Sequence, residues 1–336
     1  MATTPSEPSF PIISFEPFLK GDFDAKVKVA QQLYDAFHTY GWVYLKEFGI
    51  SEEEIDEMFE HSKAFFEDQT LEDKLQYKVT SAAYSQGYTS NGAESSDPNG
   101  GRSWKECYEH RRFNNDLCPP AGSAKDFRAF ADGFYNKCFN LASQVLQALS
   151  MVMGIPHDFW DDKLAKADPQ LRLLRYMAIP AATLEKPGNY RINPHTDYGL
   201  CTLLFQDQVG GLEVDPFHTG EFRPATPIRG TCVINIADLL QRMSNDKLKS
   251  TRHRVMAPTI SKEELAKTGI LPTRFSTAFF VHPDPATLIT PITSEGEKAK
   301  YEPVNAGEWR TMITSRNYGY SLPDSKALTV ATVAAA

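Results

Sequence analysis

The spacing of apolar residues changes character once along this chain, near Asp168. Upstream, apolar positions recur mostly at helical intervals of three and four; downstream they fall into short runs cut by glycine and proline. In the upstream part, residues 11–15 read as a short strand. Val29, Leu33, Ala36 and Phe37 then form the apolar stripe of a helix over 25–40, which Gly41 ends. Trp42-Val43-Tyr44-Leu45 is a strand, and Ser51-Glu52-Glu53-Glu54 is a capping box opening a helix that runs towards Phe66. Between 81 and 120 the pattern loosens around Gly87, Gly92, Gly100 and Gly101 into a long irregular stretch. Phe127, Phe130, Phe134, Leu141, Val145, Leu149 and Val152 next predict a long helix over 124–153, stopped by Gly154.

Downstream, the short runs predict strands over 171–179, 200–205, 212–214, 231–236, 253–256 and 275–281, the signature of a sandwich or jelly roll. The expected fold is therefore mainly β with flanking helices. Its organisation divides into a helix-and-strand region over 1–120, a jelly-roll core with its long supporting helix over 121–322, and a flexible Ala/Thr/Val-rich tail over 323–336.

Composition narrows the function classes. The 336 residues are 41% hydrophobic, enough for a large core, and 35 basic against 43 acidic residues give a net charge of −8. No basic run or basic-aromatic stripe occurs, which argues against nucleic acid as a partner. Met1 to Ser9 is polar and carries no apolar signal segment, and no apolar run has spanning length, so no membrane partner and a cytoplasmic location are expected. Five scattered cysteines without CxxC spacing fit reduced thiols rather than a disulfide framework or a zinc finger.

Candidate chemistry gathers in the downstream half. In Asn193-Pro194-His195-Thr196-Asp197-Tyr198-Gly199, an extended backbone would send His195 and Asp197 to one face, a pairing that is common by chance. A second histidine, His253, lies 58 positions on within Thr251-Arg252-His253-Arg254-Val255, inside another predicted strand. Two histidines and one carboxylate form the facial triad of non-haem Fe(II) sites, which leaves coordination positions open. Arg274 and Ser276 also share a strand face. An arginine pointing into a barrel that holds a metal requires an anion, and its planar fork suits a carboxylate co-substrate; a structural Arg-Asp pair at the rim is the competing reading.

His195-Thr196-Asp197, His253-Arg254-Val255 and Arg274-Phe275-Ser276 together resemble the signatures of the isopenicillin-N-synthase-like 2-oxoglutarate/Fe(II) dioxygenases. The resemblance spans nearly the whole chain, including Pro11-Ile12-Ile13-Ser14-Phe15, Gly41-Trp42-Val43-Tyr44, Gly210-Gly211-Leu212 and Val233 through Leu240. Leu171-Arg172-Leu173-Leu174 and Ser244-Asn245-Asp246 look most like the fungal group that includes thymine hydroxylase and polyketide-modifying oxygenases. It implies a double-stranded β-helix core in which His195, Asp197 and His253 bind Fe(II). Arg274 and Ser276 would hold the distal carboxylate of 2-oxoglutarate, with Tyr176 beside co-substrate or substrate. O2 would be the second co-substrate, and the reaction would hydroxylate or oxidatively rearrange a small planar molecule, a nucleobase-like ring or a fungal polyketide aromatic.

Arg172 shares strand parity with Tyr176 and matches an arginine that thymine hydroxylase uses on its substrate, so it is read as a substrate anchor or a structural ion pair. Arg191 is a second candidate substrate contact, and Tyr198 and Phe280 are candidate flat walls. Phe279, of opposite parity, is expected to face away. A lid around Tyr84, Gln86, Tyr88 and Lys105 is also implied. Two departures stand out: 21 positions separate His253 from Arg274, with an extra helix expected over 261–269, and Ala237 replaces the glycine usual before Asp238. The rival readings are a jelly-roll metal-dependent hydrolase or isomerase and a non-catalytic small-molecule binding protein.

Overall fold

A computed structural model of the chain describes residues 9–79, 86–93, 104–113, 115–119, 126–185, 189–258 and 267–318. The expectations for Tyr84, for most of the extra helix over 261–269 and for the tail over 323–336 lie outside those residues.

The chain opens with β1 (Ile12–Ser14), α1 (Glu16–Lys20), α2 (Phe23–Thr39), β2 (Trp42–Lys46), α3 (Glu52–Glu67) and α4 (Leu71–Leu75). Ser51 and Glu54 close the expected capping box at the start of α3. Next come β3 (Gly87–Thr89), β4 (Lys105–Arg111), α5 (Phe127–Met153) and α6 (Asp161–Ala165). Gly154 ends α5 in the left-handed conformation that glycine adopts without strain. The downstream half runs β5 (Gln170–Tyr176), β6 (Ile179–Pro180), α7 (Ala182–Glu185), β7 (Ile192–His195), β8 (Cys201–Gln206), β9 (Leu212–Asp215) and β10 (Arg223–Pro224). It continues with β11 (Thr231–Ile236), α8 (Asp238–Met243), β12 (Arg252–Val255), β13 (Ile270–Leu271), β14 (Arg274–Val281), β15 (Leu288–Ile289), β16 (Val304–Asn305) and a C-terminal helix, Ala306–Tyr318.

Two sheets face each other in a jelly roll. The larger has the order β1-β2-β11-β8-β14-β5-β4-β3 and the smaller β10-β9-β12-β7. Strands from both ends of the chain share the larger sheet, since β2 pairs with β11 and β4 with β5. The division expected at residue 120 falls in the stretch 120–125, outside the described residues.

Period-two alternation gives the larger sheet two apolar faces. Leu171, Leu173, Leu203, Phe205, Cys232, Ile234, Phe279 and Val281 pack in one cluster with the apolar stripes of α2, α3 and α5. Leu174, Tyr176, Val233 and Ala278 point the other way and pack with Leu212, Val214 and Val255 of the smaller sheet. Cys201, whose parity with His195 left it a possible cavity residue, belongs to the helix-facing cluster.

Three expectations change. The stretch 81–120 contains β4, a seven-residue strand buried throughout, within the larger sheet. Its sequence, Lys-Glu-Cys-Tyr-Glu-His-Arg, hides this because its charges are paired in the interior: Glu106 with Lys74 and Arg175, Glu109 with Arg172. The strand expected over 171–179 breaks after Tyr176, and the chain then enters a separate pairing of β6 with β13. The third change concerns β7, which ends at His195, so Asp197 lies in the link to β8 rather than on a strand. Among the described residues, no helix is long and apolar enough to cross a membrane.

Phe279 is fully buried and meets Tyr135 of α5 edge to face at 5.0 Å. Phe279→Ala is expected to cost about 3–5 kcal/mol of stability, read from the midpoint of denaturant unfolding. Because the ring faces the helix layer, metal binding in the surviving folded fraction should be unchanged.

Candidate metal centre

His195 and His253 are register partners on adjacent strands β7 and β12, which sets their rings 4.3 Å apart between centroids. Asp197 reaches them from the link between β7 and β8. The link is pinned at both ends: Asp238 N donates to Asp197 O at 2.8 Å, and Leu200 N donates to Val281 O at 2.8 Å. Gly199 is needed there, since a Cβ would lie 2.4 Å from Val281 O and 2.7 Å from His282 Nδ1.

The three donor atoms converge within 4.8 Å of one another. Asp197 Oδ1 lies 3.8 Å from His195 Nε2 and 3.7 Å from His253 Nε2, too far for hydrogen bonds. Each imidazole turns Nδ1 to the carbonyl two residues before it, at 2.8 Å for Asn193 O and 3.1 Å for Thr251 O. With the proton on Nδ1, both Nε2 lone pairs face the carboxylate. Asp197 Oδ2 is occupied, accepting from Thr202 Oγ1 at 2.6 Å and Asn235 Nδ2 at 2.9 Å.

Electrostatics suit the same reading. Burial, reinforced by His253, pushes the His195 imidazole down to about 4, so it is neutral near pH 7. Burial works against ionisation of Asp197, yet the two histidines and the hydrogen bonds from Thr202 and Asn235 outweigh it and hold its pKa below the usual carboxylate range. Two imidazoles that present Nε2 to one point and a carboxylate oxygen without a hydrogen bond are the donor set of a 2-His-1-carboxylate iron site. Carbonyls that orient imidazoles and donors that orient a carboxylate are the supporting contacts such sites use.

A cavity of about 160 Å³ extends from these ligands between the two sheets. Arg274 and Ser276 line it from β14, each 1% exposed. Arg274 donates from NH2 to Gln206 Oε1 at 3.1 Å, while its Nε and NH1 have no partner. Its guanidinium carbon sits 4.9 Å from the centre of the Tyr176 ring. A buried guanidinium with two unmet donors is costly until an anion arrives, and a carboxylate fits its fork.

Arg172, Tyr176, Tyr198 and Phe280 all line the cavity. Both readings of Arg172 find support in its position, since its guanidinium pairs with the fully buried Glu109 and lies 5.6 Å from the Phe280 ring centre while facing the cavity. Tyr198 stacks on His282 at 4.9 Å, and burial pushes that histidine down to about 3. His38, His110 and His218 have polar partners and His61 stacks on Phe130; among the described residues, the convergent ligand group consists of His195, Asp197 and His253.

Arg191 does not take the position expected of a substrate contact. It is fully buried outside the cavity lining, with NH2 donating to Pro272 O at 2.7 Å, because the chain entering β7 turns its side chain behind Tyr176. The lid also changes. Gln86 and Tyr88 are buried, the Tyr88 hydroxyl donating to Glu106 Oε2 at 2.5 Å, whereas Lys105 is part of the cavity wall. Trp42, Thr202, Asn235 and Thr314 are among the other lining residues and were not anticipated. Strand parity could have found Thr202 and Asn235; Trp42 and Thr314 come from distant segments whose approach no spacing reveals.

Comparison with known proteins bears on this arrangement. Residues 169–283 match the 2OG-Fe(II) oxygenase superfamily, and residues 10–126 match the N-terminal region of the non-haem dioxygenases of morphine synthesis. The 2-oxoglutarate-Fe(II) type oxidoreductase ppzD of Metarhizium rileyi is 30% identical, over 95% of this chain and 94% of its own. The chain belongs to the 2-oxoglutarate/Fe(II) oxygenase superfamily. Another relative is the 2-oxoglutarate-dependent dioxygenase frbA of a Dothideomycetidae species, 31% identical over 87% of this chain and 92% of its own. The full-length thymine hydroxylase of Neurospora crassa, solved with α-ketoglutarate and thymine, superposes with a TM-score of 0.82 at 32% identity, covering 95% of this chain and 99% of its own. As a member of this superfamily the protein is an Fe(II)-dependent dioxygenase with 2-oxoglutarate and O2 as co-substrates, and its jelly roll is the double-stranded β-helix of these enzymes.

Thr202 holds Asp197 through the hydrogen bond to Oδ2. Thr202→Val keeps the shape and removes one donor, and is expected to weaken Fe(II) affinity about tenfold in anaerobic titration calorimetry. An unchanged affinity would mean that the Oδ2 anchor has no effect on the ligand.

Proposed function

We propose that His195, Asp197 and His253 hold Fe(II), that Arg274 and Ser276 receive the distal carboxylate of 2-oxoglutarate beside Tyr176, and that the remaining cavity oxidises a small planar molecule. The observation carrying the co-substrate assignment is the pair of unmet donors on buried Arg274, in the same cavity as the ligand triad. A hydrolase or isomerase using the triad alone leaves that guanidinium without a purpose. A binding protein would have no need of two imine nitrogens and a carboxylate oxygen turned towards one point.

Bound iron with 2-oxoglutarate and O2 supplies oxidative decarboxylation, giving succinate and CO2, coupled to oxidation of a substrate C–H bond. The protein's own part is placement. Hydrogen bonds from Thr202 and Asn235 fix the carboxylate, and the Asn193 and Thr251 carbonyls fix the imidazoles. Phe280 and Tyr198 offer flat walls to a ring, and Arg172, held by Glu109, offers donors to a carbonyl, phenolate or carboxylate on it. Leu174, Leu204 and Ala278 keep the space between apolar and exclude water. That the Neurospora enzyme was solved with thymine and with 5-formyluracil supports a nucleobase-like ring, and a fungal polyketide aromatic is the second planar class the same walls would take. We place this small-molecule chemistry in the cytoplasm.

The test is an anaerobic titration with Fe(II) and then 2-oxoglutarate, following the visible charge-transfer band of the chelate. Wild type should develop the band, His195→Ala and Asp197→Ala should not, and Arg274→Ala should require about a hundredfold more 2-oxoglutarate, as befits a buried charge-assisted pair. Absence of the band in wild type would remove the assignment. For substrate, Arg172→Met should lower substrate-stimulated succinate formation by about tenfold while leaving the band intact. A fall in melting temperature with unchanged substrate affinity would instead make Arg172 a purely structural partner of Glu109.

A further inference from the structure

Arg191 touches neither the metal ligands nor the cavity, although it is one of the largest fully buried side chains of the protein. Its NH2 donates to Pro272 O at 2.7 Å and, at 3.4 Å, to Met177 O, while Nε and NH1 have no partner. Its guanidinium carbon lies 6.0 Å from the centre of the Tyr176 ring, the same ring that Arg274 approaches to 4.9 Å. Two buried guanidinium groups therefore share one aromatic ring, and four of their nitrogens lack acceptors. An aromatic face offsets only part of the cost of desolvating two like charges.

Asp207 is a carboxylate that acts electrostatically on both guanidinium groups, and it is already engaged. Its Oδ2 accepts from Phe275 N at 2.6 Å and its Oδ1 from Val209 N at 3.0 Å. Among the described residues no carboxylate lies within ion-pair distance of either guanidinium. Two guanidinium groups against one carboxylate, with Lys105 also in the cavity wall beside Tyr176, leave this end of the cavity positive.

We infer that Arg191, from behind Tyr176, makes the co-substrate end of the cavity doubly cationic and so sets the enzyme's selectivity for a dicarboxylate over a monocarboxylate 2-oxo acid. It is a positioning and charge residue, since it does not line the cavity, and the inference rests on the reading that Arg274 receives the distal carboxylate. A second cation behind the first favours an incoming anion through space, most strongly where water is excluded.

The experiment is titration calorimetry of the full chain loaded with Mn(II), which prevents turnover, against 2-oxoglutarate and 2-oxopentanoate. The two acids have the same carbon chain and differ by the distal carboxylate. Arg191→Gln, which still offers a donor to Pro272 O, and Arg191→Met are each expected to weaken 2-oxoglutarate about tenfold and to leave 2-oxopentanoate within about twofold. Arg191→Lys keeps the charge and should restore most of the preference; because it also tolerates the buried position best, it keeps the test alive if the neutral variants do not fold. Parallel weakening of both acids, an unchanged ratio in the neutral variants, or loss of the ratio in Arg191→Lys at an unchanged melting temperature would overturn the inference. Arg274→Met separates the two levels: if it leaves the ratio intact, the assignment of Arg274 fails, whereas a collapse there with no change at Arg191 rejects the role of Arg191 alone.

Discussion

The two-residue alternation of four neighbouring strands, β11, β8, β14 and β5, is the constraint on which this molecule depends. On each, one set of side chains packs against the helices and the other set faces the smaller sheet, so a single layer is at once the wall of the hydrophobic core and the wall of the cavity. On β14, Phe275, Phe279 and Val281 take the first role and Arg274, Ser276 and Phe280 the second. A slip of one residue would drive Arg274 into the helix layer and Phe279 into the cavity, which is why the dense packing over α5 fixes the register of the chemistry. The helices contribute to function by making that slip expensive.

The ligand triad uses the same rigidity differently. Its histidines sit on paired strands, but its carboxylate comes from a link and owes its position to β8 and β11, through Thr202 and Asn235. Dividing the two oxygens of Asp197, one bound to protein donors and one left beside two imidazoles, turns a flexible side chain into a directional ligand. Gly199 permits this, because the link must run close to the carbonyl of Val281.

Charge is distributed unevenly around the cavity. Arg172 is matched inside the protein by Glu109, and Glu106 gathers Lys74 from α4 and Arg175 from β5. Arg274 and Arg191 have no such match, and their unmet donors lie around one tyrosine ring. The contrast follows from function: a cation satisfied by its own protein builds the wall, whereas one left wanting waits for a ligand.

The sequence by itself determined the strand alternation, the long helix and its glycine stop, the capping box, and the identities of the residues that converge as a ligand triad and of Arg274. Each of these is written locally, as a period, a cap or a short motif, and local patterns survive into the fold. Strand parity likewise separated Phe280 from Phe279 and set Arg172 beside Tyr176. What remained illegible depends on partners far away in the chain. β4 reads as a loop because its buried charges are matched by residues about 30 to 70 positions distant. Arg191 reads as a candidate substrate contact because nothing local says that the chain entering β7 turns it behind Tyr176. The link carrying Asp197 reads as strand because its anchors are Thr202, Asn235 and two backbone contacts. Only tertiary structure decided which buried charges are paired and which are left open, because electrostatic balance depends on distances through space and not on spacing along the chain.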